Sequence, residues 1–202
     1  MGGRRTSAHD IRALFNWEIT APEGALDEVE KALKAAVGND SVWAGMHLFL
    51  VSLNTESDRG AVLVSSSYLE DRLGELIRRF LVAGSDTKAL LDDFNGPFGT
   101  FSARIKGAHG LGIINDAERN RLETLRKIRN EFAHSLQASF DQQHIRSLIQ
   151  SMKLLDKMGQ EIRMPLRHHF SLAAAQIVVS LSNRIGIVDQ HQLKPVAWPP
   201  WS

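Results

Sequence analysis

Residues 116–136 read DAERNRLETLRKIRNEFAHSL, and this stretch decides the fold class of the chain. Five apolar residues recur in it at intervals of three or four positions, which is the spacing of one face of an α-helix. Asn115 or Asp116 can cap its first turn, because either side chain accepts hydrogen bonds from free backbone N–H groups. The stretch therefore predicts an amphipathic helix that packs through one apolar stripe: Leu122, Leu125, Ile128, Phe132 and Leu136.

Helical periodicity extends from this stretch in both directions, and no run of alternating β-branched residues interrupts it. Further helices are predicted over residues 21–37, 42–53, 57–82, 88–92, 103–110, 141–160 and 165–186. The helix over residues 42–53 is apolar on most sides and is expected to lie in the core. The sequence thus predicts an all-α protein, a single bundle of about seven or eight helices.

The composition is that of an ordinary globular chain of 202 residues. Hydrophobic residues make up 43%, which excludes intrinsic disorder, and 24 basic against 23 acidic side chains leave no overall field for nucleic acid. The absence of cysteine excludes disulfides, thiolate zinc sites and cysteine nucleophiles. A polar N-terminus predicts a cytoplasmic protein without a signal peptide. The apolar segment over residues 172–181 is too short to cross a bilayer, and it predicts a buried helix.

Three residues of the stretch have the chemistry of a phosphoester site: Arg129, Asn130 and His134. Arg129 follows Leu125 by four residues, so its guanidinium is expected at a helix interface, beside an acid, a carbonyl or a phosphate. His134 lies one turn beyond Asn130 and roughly 140° around the helix from Arg129. An imidazole can move a proton, a guanidinium can stabilise a pentavalent phosphate, and an amide can orient it. The same residues can equally be structural, as an interface clamp and a partner of the helix C-terminus.

Charged residues in two other segments help to decide whether Arg129 and His134 form a phosphoester site or are structural. Arg104 and Lys106 follow a glycine-rich loop, residues 94–101. They are predicted binding residues if they form a cationic rim for RNA phosphates near Arg129, and solvated charges otherwise. Three acids of the helix over residues 57–82 could instead pair with Arg129 and lock it: Glu70, Asp71 and Glu75.

Two other kinds of site find little support in the sequence. A helix-turn-helix reading of residues 103–136 is rejected, because the second helix interleaves acids with its basic residues and buries a full apolar stripe. His168 and His169 are adjacent, so they lie on different helix faces and lack metal-ligand spacing. No metal, cofactor or membrane partner is therefore predicted.

Four ordered segments resemble the mannitol operon repressor family: SDRG (57–60) leading into SYLEDRL (67–73), GTFSARIK (99–106), LGII (111–114) and IRNEFAH (128–134). The resemblance covers about residues 56–136 and implies an all-helical regulator of mannitol use that lacks an evident DNA-binding motif. The Arg-Asn-x-x-x-His element also looks like the signature of HEPN domains, helical bundles that often dimerise and whose active members are metal-independent ribonucleases. In those members the matching Arg129 and His134 would act at the scissile phosphate, with Asn130 assisting.

The resemblances, together with the structural alternative for Arg129 and His134, give three functional expectations. The first is a homodimeric transcriptional regulator that acts through a protein partner without its own DNA-reading motif. The second is a HEPN-type endoribonuclease, a toxin or defence component that binds RNA, and the third is a non-catalytic helical scaffold. The chain is accordingly divided into an N-terminal helical extension packed on the core (1–55), a repressor-like core (56–186) and a tail containing Pro and Trp (187–202).

Overall fold

A computed structural model describes residues 40–154 and 164–198, which contain seven helices and no strand. The prediction of an all-α bundle is therefore confirmed. In chain order the helices are α1 (Asp40–Thr55), α2 (Asp58–Phe80), α3 (Ser85–Asp92), α4 (Phe101–Gly110), α5 (Asp116–His134), α6 (Gln143–Ser151) and α7 (Leu166–Asp189). The predicted helix over residues 21–37 lies outside the described residues.

Capping side chains set the starts of three helices close to the predicted positions. Ser57 accepts a hydrogen bond from the Gly60 N–H at the start of α2, and Thr100 does the same for Ala103 at the start of α4. Asn115 and Glu118 form a reciprocal capping box on α5. The positions at which these three helices start therefore follow from local sequence.

The predicted helix over residues 141–160 is wrong in length, because α6 ends at Ser151. Met152 leaves the helical conformation with ψ at 62°. Its carbonyl accepts a hydrogen bond from Nε2 of His169, on α7, over 3.0 Å. A tertiary contact thus replaces continuation of the helix, and residues 155–163 lie outside the described part of the chain.

Helix α7 lies at the centre of the packing. The contact between α7 and α2 is more extensive than that between any other two described helices, and α1 packs against both. Its residues Ala173, Ala174 and Ala175 are all buried. Although α7 is long and apolar enough to cross a membrane, 56% of its most apolar window is buried inside the fold, as in a core helix. The prediction of a buried helix over residues 172–181 is confirmed.

The expectation that α1 lies in the core is correct for one of its sides only, and the expected apolar stripe of α5 does not extend to Leu136. Leu48 and Val51 of α1 are 68% and 36% exposed, because α1 packs against α2 and α7 through the side that carries Met46, Leu50 and Leu53. Leu136 is 94% exposed, because α5 ends at His134 and the chain leaves the helix before the apolar stripe reaches position 136.

Helix α7 extends to Asp189, three residues beyond the predicted end, and the tail has no helical structure over residues 190–198. The Leu193 N–H donates to the carbonyl of Phe80, at the end of α2, over 2.8 Å. Trp198 is 82% exposed. The proposed boundaries at residues 55/56 and 186/187 stay predictions. Helices α1, α2 and α7 pack together across the first of them.

Candidate functional site

The C-terminal half of α5 carries the three predicted site residues at its surface. Arg129 and His134 are exposed and Asn130 is half-buried. Arg129 Nη1 donates to Asn130 Oδ1 over 3.3 Å. The His134 imidazole makes no hydrogen bond or ion pair with any residue that the structure describes. The helix therefore presents one oriented guanidinium and, one turn later, an imidazole with open nitrogen atoms.

The exposure of Arg129 differs from the expected position at a helix interface. At 100° per residue, Arg129 lies roughly 80° from the midpoint between Ile128 and Phe132, the buried residues nearest to it. The buried stripe of α5 drifts towards those two residues near the end of the helix, and Arg129 is left at its edge. The guanidinium is therefore available to a ligand.

Glu70 is the predicted acid that faces Arg129. Its carboxyl group is half-buried, and the backbone N–H of Phe101 favours its charged form. Burial raises the pKa of Glu70 above its ordinary value, although the guanidinium groups of Arg104 and Arg129 lower it. Among the described residues, no acid forms an ion pair with Arg129 at contact distance.

The other two predicted acids have different partners. Asp71 lies 3.9 Å from Arg104, and Glu75 lies 2.7 Å from Arg79. They do not lock Arg129.

Arg104 is committed to the backbone of three segments. Its Nε, Nη1 and Nη2 atoms donate to the carbonyls of Phe98, Glu70 and Leu91 over 2.9, 3.0 and 3.3 Å. Its side chain is only 14% exposed. Arg104 therefore fixes the glycine-rich loop, while Lys106 on the same helix is exposed. A basic rim that binds RNA stays a prediction, with Lys106 as its exposed member.

Two residues missed in the sequence support the end of α5. Arg59, at the start of α2, donates from Nη1 to the carbonyl of Phe132 and from Nη2 to the carbonyl of Ser135. His144 Nε2, on α6, donates to the carboxylate of Glu131 over 3.1 Å. Arg59 belongs to the SDRG segment, and that segment could have drawn attention to the residue. It gave no indication that Arg59 contacts Phe132, 73 positions away.

The N-terminal end of α5 contains a closed polar network around Glu118, which is 8% exposed. Its carboxylate accepts hydrogen bonds from Arg184, Ser180 and the Asn115 N–H. Burial alone would raise the pKa of Glu118, but these donors outweigh it and hold the pKa below its ordinary value. Arg184 also donates to the Ile113 carbonyl over 3.1 Å, so the network joins α7 to the start of α5.

Three arginines of α5 are paired, two with acids of α5 itself and one with groups outside the helix. Arg119 lies 3.9 Å from Asp116, and Arg126 donates to Glu123 over 2.8 Å. Arg121 donates over 2.8 Å to the carbonyl of Lys153 and over 3.2 Å to Gln176. A helix that reads DNA needs such side chains free for phosphates and bases. This arrangement agrees with the rejection of the helix-turn-helix reading.

No group of three metal-ligating side chains is found within residues 40–154 and 164–198. His169 is buried, and its Nε2 is engaged with Met152. The adjacent His168 also has a partner.

Comparison with known proteins gives no match: no family model, no curated protein and no solved structure resembles this chain at a significant level.

Proposed function

We propose that the protein is a cytoplasmic, homodimeric transcriptional regulator of the mannitol repressor type that acts through protein contacts. One observation supports this mode above all: Arg119, Arg121 and Arg126 of α5 are engaged within the chain. The second helix of the rejected helix-turn-helix reading thus has three of its arginines paired within the chain, and a regulator of this kind needs a protein partner to reach DNA.

Two wholly exposed apolar side chains are available for such a partner. Phe94 and Leu136 are 102% and 94% exposed. Phe94 is the first residue of the glycine-rich loop, and Leu136 follows the end of α5. Large apolar side chains lie at the centres of many protein interfaces, because their burial excludes water.

Expression of the mannitol-use genes in cells that lack the protein tests the regulatory role, and footprinting of their control region with the purified protein tests the mode. We expect expression to change in the deletion strain and return with the wild type, while the protein alone leaves no footprint. Phe94→Ser combined with Leu136→Ser should fail to restore regulation, whereas Val196→Ser, also at an exposed residue, should restore it. Unchanged expression overturns the regulatory role, and a footprint by the protein alone overturns the indirect mode.

Sedimentation tests the homodimer. At micromolar concentration, the purified protein should sediment as a dimer. A monomer at that concentration would remove the dimer from the proposal without affecting the rest.

A second candidate function is metal-independent cleavage of RNA, which is favoured by the exposure of Arg129, Asn130 and His134. In this reaction the 2′ oxygen forms a bond to phosphorus, and the bond from phosphorus to the 5′ oxygen breaks. His134 would take the proton from the 2′ hydroxyl or give one to the departing 5′ oxygen, and solvent water would take or supply the other proton, while Arg129 stabilises the added charge on the phosphate. Asn130 would hold the guanidinium through the hydrogen bond already present.

The RNA test uses end-labelled, mixed-sequence RNA in the presence of EDTA. The wild type should cleave it, and His134→Ala should lose about a hundredfold or more of the rate, which is the contribution of a proton-transfer group. His191→Ala, which removes another exposed histidine, should cleave at the wild-type rate. Absence of cleavage by the wild type, with protein in excess over RNA, overturns this candidate.

A further inference from the structure

The last turn of α5 is supported by a residue from another helix. The final carbonyls of a helix have no partners within it, and such ends usually fray. Here Arg59 donates to the carbonyls of Phe132 and Ser135, which lie on either side of His134. The Ser135 N–H closes the turn on the Glu131 carbonyl over 3.0 Å. The backbone that carries His134 is therefore restrained at both sides.

Two contacts restrain the same turn from other directions. The carboxylate of Glu131 is bound by His144 of α6. The ring of Phe132 is fully buried and meets Phe140 edge-on, with centroids 5.3 Å apart. His134 thus combines an exposed side chain with a backbone fixed to α2, α6 and the core. Catalytic sites need this combination, because a reacting group must be accessible and yet held in one orientation.

We propose that Arg59 is a positioning residue for His134. Two nitrogen atoms of its planar guanidinium donate to the two carbonyls, and this fork sets the backbone direction from which the imidazole projects. A lysine ammonium has the same charge but lacks the fork, so it cannot hold two carbonyls in this geometry. The inference rests on the RNA-cleavage candidate, and it adds a residue from α2 to a site otherwise formed by α5.

Arg167 provides a matched control because it supports the end of a different helix. It donates to the carbonyls of Leu53 and Glu56, at the end of α1, over 2.6 and 2.8 Å. It also donates to the carboxylate of Asp58 over 2.7 Å. Arg59→Lys and Arg167→Lys therefore remove the same kind of support, and only the first touches the turn that carries His134.

The experiment measures kcat and KM for RNA cleavage, together with hydrogen exchange of the Ser135 amide, in the wild type and both lysine variants. Arg59→Lys should lower kcat about tenfold with little change in KM, because misplacement of a reacting group affects the transition state more than binding. Exchange at Ser135 should become faster in this variant alone. Arg167→Lys should keep the wild-type kcat even where its melting temperature falls as far.

Each contrary outcome has a distinct meaning. A wild-type kcat in Arg59→Lys, or an equal loss in Arg167→Lys, overturns the positioning role and leaves RNA cleavage standing. Unchanged exchange at Ser135 in Arg59→Lys also overturns it, because the clamp would then not fix the turn. Absence of cleavage by the wild type overturns the candidate activity and this role together.

Discussion

The two ends of α5 use similar side chains in opposite ways. At its N-terminal end, the carboxylate of Glu118 is buried and bound by Arg184 and Ser180. At its C-terminal end, Arg129 and His134 face solvent, and the neighbouring acid, Glu70, lies on another helix without contacting the guanidinium as an ion pair. The difference shows that position relative to the buried stripe, and not residue type, decides whether a charge stabilises the fold or is available to a ligand.

Arg184→Met should have the largest effect on stability. It leaves the Glu118 carboxylate buried without its cation, and breaking a buried pair costs roughly 3 kcal/mol of unfolding free energy. Urea denaturation measures this loss. Arg119→Met is the matched control, because it removes an exposed pair with Asp116 and should cost less than about 0.5 kcal/mol. Equal losses in the two variants would contradict the prediction that the buried Glu118–Arg184 pair stabilises the fold more than the exposed Arg119–Asp116 pair does.

The pH dependence of stability sharpens the same contrast. Because the folded pKa of Glu118 is lowered, its contribution is complete above its ordinary pKa of 4.5 and disappears as the pH falls through the folded value. The difference in unfolding free energy between the wild type and Glu118→Gln should therefore shrink as the pH falls from about 6 to about 3. Urea denaturation across this range checks it. A difference that stays constant with pH would show that the charge of Glu118 is not the stabilising feature.

Arg129→Ala should change the unfolding free energy by less than about 0.5 kcal/mol, because its guanidinium is exposed and bound only to Asn130 among the described side chains. Thermal melting beside the wild type measures the change. A fall of several degrees would mean that the C-terminal end is structural as well, and would favour the non-catalytic scaffold over both proposed functions.

Lys106→Ala should have the smallest effect. Stability should stay unchanged, and affinity for single-stranded RNA should fall about threefold if Lys106 contacts phosphate at the exposed end. Fluorescence anisotropy with labelled RNA measures the affinity, with Lys88→Ala, an exposed lysine on α3, as control. An equal effect of the two substitutions would show that the basic rim has no special place in binding.

The features of the fold that depend on local sequence could be predicted. The spacing of Leu122, Leu125, Ile128 and Phe132 is enough to give a helix and its buried face, and the capping box at Asn115 gives its start. The outward side of α1 could not be predicted, because apolar residues lie all round that helix and only its neighbours decide which of them are buried.

The residues of the candidate site could be proposed from the sequence, whereas their surroundings could not. Arg129, Asn130 and His134 could be found by their chemistry and spacing on one helix. Their exposure depends on the drift of the buried stripe, which no single spacing reveals. Arg59 and Phe132 are 73 positions apart, so their contact follows from the packing of α2 on α5 and not from any local pattern.

The position of α7 in the chain has a consequence for synthesis on the ribosome. Among the described helices, α7, on which α1 and α2 pack, is the last to emerge. Until residues 166–189 are available, the faces of α1 and α2 that end up buried against α7 have no surface to fold onto. The nascent chain must therefore expose these apolar faces while α3 to α6 are being made, and the faces can be buried only once α7 has emerged.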